Sequence, residues 1–168
     1  MERTIREPIT GREATATGRM PLDALAQFYR AFNERDLALM ERNWDEGDDV
    51  AMDNPLGGIK RGWPEIRAVY EKIFAGAARV HVEFHDYTLH VLGDVFYAVG
   101  RERGRFEEGG TTLELAIRTT RIFKWHGAGW RQIHHHGSIE DPALLAAYQK
   151  AVLEGGAPAG LNERRRTG

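Results

Sequence analysis

Two hydrophobic rhythms divide this chain near residue 78. Upstream, apolar residues recur every three to four positions; downstream, they recur at every second one. In "PLDALAQFYRAFNERD", Leu22, Leu25, Tyr29 and Phe32 fall at helical spacing, with Ala26 and Phe28 beside them and Asn33 as a natural stop. A short second helix over residues 36–43 carries Leu37 and Met40 and leads to Trp44. The extended piece "DVAMDNP" and the turn-forming "LGGIKRG" come next. Pro64 sits where a first helical turn accepts proline. Ile66, Val69, Tyr70, Ile73 and Phe74 then line one helix face, and Gly76 closes it.

From residue 79 the period is two. "VHVEFHDYTLHV", "VFYAVGRERGRF", "TTLELAIRTTRIFKW" and "WRQIHHHGS" predict four long strands. The turns between them are short, at Gly93-Asp94, at Gly109-Gly110 and around Gly127 and Gly129, so neighbours run antiparallel. Asp141-Pro142 opens a final helix. Helices followed by an antiparallel meander predict an α+β fold with the helices on one sheet face. Residues 1–20 and 155–168 are polar and read as flexible arms around one domain over residues 21–154.

Alternation also assigns faces. In the strand at 111–125 the odd positions Leu113, Leu115, Ile117 and Phe123 are the apolar set, so Arg121 is expected inside with them. In the strand at 95–105 the odd positions Val95, Tyr97 and Val99 look more apolar than the even ones, which puts Arg101 and Arg103 inside as well. A buried guanidinium needs a partner. Three readings follow: an internal ion pair with Asp53 or Glu83, an arginine that reaches the open end of the sheet, or an anion-binding pocket between helices and sheet. The same alternation splits "IHHHG". His134 and His136 share one face and His135 takes the other, so the three cannot close on one ion. A His-x-His pair needs a third ligand, and His81, His85 and His90 do not fix one, so no metal site is expected.

Composition narrows the function classes. The 168 residues are 42% hydrophobic and 29% charged, with a net charge of −2. That charge gives no field for nucleic acid or an anionic membrane. The Arg164–Arg166 run lies in the polar tail. Cysteine is absent, which removes disulfides, thiolate metal sites and a cysteine nucleophile. No stretch approaches the ~18 apolar residues of a membrane span, and the first twenty residues lack a signal-peptide core. A cytoplasmic location is expected. No phosphate loop, dinucleotide fingerprint or Ser-His-Asp order appears, so no cofactor is expected.

The order of these elements resembles a known superfamily. "GGIKRGWPEI" (57–66), "HVLGD" (90–94) and "TTRIFKWHGAGWRQIHHHGS" (119–138) are similar to stretches of the nuclear transport factor 2-like superfamily, in its SnoaL-like branch. Within it the chain resembles the association domain of calcium/calmodulin-dependent protein kinase II. The resemblance implies a cone-shaped roll with a pocket between a curved sheet and its helices, and a homodimer formed through the sheet. It also implies pocket arginines at Arg103 and Arg121 that hold small carboxylates. A third arginine position of that family falls on Gly137, which leaves His135 or Arg101 to substitute.

Two functions are therefore expected. One is a homodimeric domain that binds a small molecule, with Arg101, Arg103, Arg121, Tyr97 and Trp63 as ligand contacts. In that reading His134, His136, Arg118 and Thr120 lie on the interface face. The other is a cofactor-free dehydratase, isomerase or hydrolase with Asp53 as base and His135, Tyr97 or Arg121 as donor. Asp53-Asn54-Pro55 reads equally as a turn.

Overall fold

A computed structural model describes residues 4–14 and 17–155. Its elements are α1 (Pro21–Glu34), α2 (Leu37–Asn43), β1 (Ala51–Asp53), β2 (Ile59–Arg61), α3 (Trp63–Ala75), β3 (Arg79–Leu92), β4 (Val95–Glu108), β5 (Thr111–Trp125), β6 (Trp130–Ser138) and α4 (Pro142–Gly155). The four long strands form the expected meander. They belong to a six-stranded sheet in the order β2-β1-β6-β5-β4-β3. β1 joins β6 in parallel, with Ala51, Met52 and Asp53 opposite His134, His135 and His136. The "LGGIKRG" stretch is only partly turn: Gly57 and Gly58 take left-handed backbone, and β2 then pairs antiparallel with β1.

The sheet has an inner face, covered by helices, and an outer face. α1 is amphipathic and buries Leu25, Phe28 and Tyr29 against the sheet. α3 adds Trp63, Ile66 and Tyr70. From the sheet come Phe84, Phe96, Ala98, Phe106, Leu115, Ile117 and Phe123. Each fully buried aromatic contributes about 1.5–3 kcal/mol of transfer free energy. At the far end Tyr148 of α4 meets the Phe106 ring edge-on, at 5.4 Å between centroids.

The assignment of β4 changes. Its inner positions are the even ones: Phe96, Ala98, Gly100, Glu102, Gly104 and Phe106. Arg101 and Arg103 therefore lie outside, contrary to the expectation from their neighbours' hydrophobicity. The inward glycines explain both the error and the curvature. A Cβ on Gly104 would stand 1.9 Å from the His81 carbonyl oxygen, and one on Gly100 would stand 2.6 Å from Tyr87 Cβ. β3 and β4 come this close because the sheet bends here. A bulge between His85 and Thr88, with Asp86 at φ 48°, adds to the bend.

Residues 4–14 are not a loose arm. Ile5 and Ile9 exchange backbone hydrogen bonds with Tyr87 and Phe84 along the free edge of β3, and Ile9 is buried. Asn33 extends the same protection. Its side-chain amide donates to the Val82 carbonyl (2.9 Å) and accepts from the Val82 N–H (3.0 Å). Together they cover an edge that would otherwise present unpaired backbone. The helix continues past Asn33 to Glu34 and ends at Arg35, in left-handed conformation. The tail from residue 156 lies outside the described residues. No helix among the described residues is long and apolar enough to cross a membrane.

Candidate functional site

The inner face carries a polar group in the middle of the aromatic core. α1 supplies Phe28 and Tyr29, β4 supplies Glu102, β5 supplies Thr119 and Arg121, and β6 supplies Gln132 and His135. The two-residue hairpin joining β4 and β5 pairs Ala98 with Arg121 and Glu102 with Ile117, which puts both on the inner face, two inward positions apart, where the long Arg121 side chain spans the gap to Glu102 across the side-chain-free Gly100. A bulge at Ile133 lets Gln132 and His135 both face inward although their numbers differ in parity.

Arg121 is fully buried and fully engaged. Its Nη2 donates to Glu102 Oε1 (2.7 Å), its Nη1 to Gln132 Oε1 (2.9 Å) and its Nε to Tyr29 Oη (3.2 Å). Tyr29 Oη in turn donates to Glu102 Oε1 (2.9 Å). The Phe28 ring caps the guanidinium plane, 3.4 Å from its centroid to the central carbon. Burial alone would push the Arg121 pKa down; Tyr29 and Glu102 beside it more than reverse this, and it sits above its ordinary value. Burial raises the Tyr29 phenol well above its ordinary pKa, so it stays protonated and able to donate to Glu102. The internal-pair reading of Arg121 is the observed one, with Glu102 as partner in place of Asp53 or Glu83.

His135 is the opposite case. It lies directly across from Arg121 on β6 and is 6% exposed. Neither ring nitrogen makes a hydrogen bond within the protein. Burial, the Arg121 charge and then the neighbouring His134 and His136 hold its pKa well below that of a free histidine, so the imidazole is neutral. Thr119 Oγ1 and Gln132 Nε2 on the same face are also buried without a partner. Buried polar atoms are rarely left so. Gly137, two residues on, carries no side chain and sits tight against its neighbours. A Cβ there would stand 3.1 Å from Pro55 Cδ and 3.3 Å from His135 Nε2.

The other expected contacts scatter. Trp63, at the start of α3, is buried and stacks on Trp44 at 6.4 Å, on the helix side of the core. Tyr97 lies on the outer face with its ring stacked on His90 at 4.5 Å. Arg103, also outside, pairs with Asp86 at 2.5 Å, and Arg101 with Glu140 at 2.8 Å. Arg118 and Thr120 share the outer face with His134 and His136; Arg118 reaches Ser138 and Glu140. Asp53 faces outward too, 3.4 Å from His136. Asp53 and His135 thus stand on opposite faces, and the structure does not bring that acid–base pair together.

An open groove of about 650 Å³ lies where Asn33 and Arg35 meet β3 and β4. Four arginines line it, Arg35, Arg79, Arg103 and Arg105; Arg35 is engaged by the carbonyls of Phe74 and Gly76, Arg103 by Asp86 and Arg105 by Glu114.

Sequence reasoning missed Glu102, Tyr29 as a polar group, and Gln132. The signal for Glu102 was present in the hairpin. Glu108 pairs with Thr111 across Gly109-Gly110, so odd residues of β5 share a face with even residues of β4.

Comparison with known proteins agrees with this architecture. The profile of the SnoaL-like domain matches residues 22–142. A Thiobacillus denitrificans structure described as a calcium/calmodulin-dependent protein kinase type II association domain is 27% identical. It covers 77% of this chain and 100% of its own, with a TM-score of 0.61. A Streptomyces avermitilis protein of the nuclear transport factor 2-like family, described as a dehydratase, is 22% identical. That alignment covers 68% of this chain and 89% of the other, at a TM-score of 0.63. Among curated proteins, F-box protein SKIP8 of Arabidopsis thaliana is 23% identical over 133 residues, 79% of this chain. The chain spans 55% of that relative's length.

Proposed function

The chain belongs to the SnoaL-like domain family, and on that premise we propose that it binds a small, largely apolar, uncharged molecule against the inner face of its sheet, with His135 as the group that recognises it. One observation carries this reading: a buried, neutral imidazole with both nitrogens free of protein partners, beside the unpartnered Thr119 hydroxyl. Mostly apolar walls with a few convergent polar groups are what small-molecule sites are made of. A carboxylate ligand is disfavoured. Arg121 is already neutralised by Glu102, and Arg103 faces away.

The same reading pairs two copies through the outer face, where Val99 is 43% exposed beside Tyr97 and Thr120. Sedimentation velocity on the full chain tests that part.

For the ligand, the experiment is a thermal-shift panel of uncharged cyclic ketones and alcohols beside a matched set of carboxylates. The uncharged set raises the melting temperature of the natural chain and leaves His135→Leu unmoved. Stabilisation by carboxylates alone would reverse the choice.

The neutral imidazole also favours a second reading, cofactor-free proton transfer with His135 as the base. An imidazole kept unprotonated by burial has a free nitrogen to accept a proton, as a weaker base than free histidine. His135→Gln separates the two, because binding is kept and turnover is lost only if the imidazole moves a proton. The fold alone does not choose between them.

A further inference from the structure

Of the three consecutive histidines, only His135 looks inward. His134 and His136 share the outer face, and the sequence offers them no third ligand. The parallel pairing of β1 with β6 supplies one. It sets Asp53 beside His136 and the small Ala51 beside His134. The Asp53 carboxylate and one ring nitrogen from each histidine all lie within 4.8 Å of one another. Asp53 Oδ2 stands 3.4 Å from His136 Nδ1. Two donors bound to one tetrahedral ion at about 2.0–2.1 Å are separated by roughly 3.4 Å, so this pair already has the spacing of a ligand pair.

We propose that Asp53, His134 and His136 form a binding site for a divalent first-row transition ion of the zinc class. The donor set decides the class. Two imidazoles and one carboxylate suit zinc, cobalt, nickel or ferrous iron, whereas calcium and magnesium take oxygen shells. All three donors stand on paired strands, which fixes their backbones before an ion arrives. The remaining gap closes by rotating side chains, and His136 and Asp53 have freedom to do so at 55% and 29% side-chain exposure. Three protein ligands leave at least one coordination position for water or another donor, the arrangement of an open rather than a closed site. Asp53 thereby gains a role on the outer face, separate from the inner one and independent of what His135 binds.

The test is a titration of the full chain, free of any polyhistidine tag, with Co²⁺ followed by visible absorption and with Zn²⁺ followed by calorimetry. One ion per chain is expected, with Co²⁺ bands displaced by Zn²⁺. Asp53→Asn, His134→Ala and His136→Ala should each weaken Co²⁺ binding by more than about tenfold, the loss that even removing an outer partner of a ligand brings. His81→Ala with His85→Ala, which removes the imidazoles at the groove, should change nothing. Melting curves on each variant show that the fold is kept. The assignment fails if no ion binds, if binding survives Asp53→Asn and His136→Ala, or if the groove variant abolishes it.

Discussion

The inner and outer faces of the sheet each hold an arginine–carboxylate pair of similar length, and the two pairs do different work. Arg121 and Glu102 meet at 2.7 Å with side chains 1% and 5% exposed. Arg103 and Asp86 meet at 2.5 Å with both side chains about half exposed. Distance does not distinguish them; solvent does. Water around the outer pair screens the attraction and hydrates either ion alone. Inside, neither ion has that alternative, so each depends on the other and on the Tyr29, Gln132 and Phe28 contacts.

Breaking the inner pair from one side should therefore give the largest effect. Glu102→Ala leaves Arg121 buried and unpaired, at a cost of about 3–5 kcal/mol in urea unfolding. Replacing both ions, Glu102→Gln with Arg121→Met, should recover most of that loss, because the penalty belongs to the bare charge. If the double variant is as unstable as the single one, packing rather than charge governs the face. Next in size, Gly104→Ala forces a methyl group into the His81 carbonyl and should cost about 1–3 kcal/mol by displacing β3.

A pH series sharpens the comparison further. His135 titrates lower in the folded chain than in the unfolded one, where its pKa is about 6.5. Below about that pH the unfolded chain takes up a proton that the folded chain refuses, so stability falls as the pH drops. Above it both forms are neutral and His135 contributes no slope. His135→Leu should flatten the acid side of the melting-temperature profile; an unchanged slope would assign it to other groups. The smallest effect is expected outside. Arg103→Ala should stay within about 1 kcal/mol of the natural chain, and added salt should shrink the difference.

Much of this was legible in the chain. The 3.6-residue rhythm of α1 and α3, the four two-residue rhythms and their turns gave the fold class, and β5 gave the inward Arg121. Alternation separates His135 from His134 and His136, and only the family resemblance says which of the two sides is inner. β4 was misread because an averaged hydrophobicity penalises Gly100, Gly104 and Glu102, which face inward for reasons of space and charge. Register carries that information and hydrophobicity does not. The partners of Asp53 were out of reach for a different reason. A parallel pairing between residues 51–53 and 134–136 leaves no local mark in either segment.

That long-range pairing sets an order of events as well as a shape. β3, β4 and β5 can zip as hairpins from neighbouring residues. The junction of β1 with β6, and the hydrogen bond from Arg121 to Gln132, wait for the last strand to arrive. Closing so long a loop is entropically costly, and contacts of this separation slow folding. During synthesis α1 and α2 can pack on each other and α1 on β3, while the parts of them that meet β6 wait for that strand. The histidine strand acts as the clasp of the fold, the segment whose docking turns a set of hairpins and helices into one body.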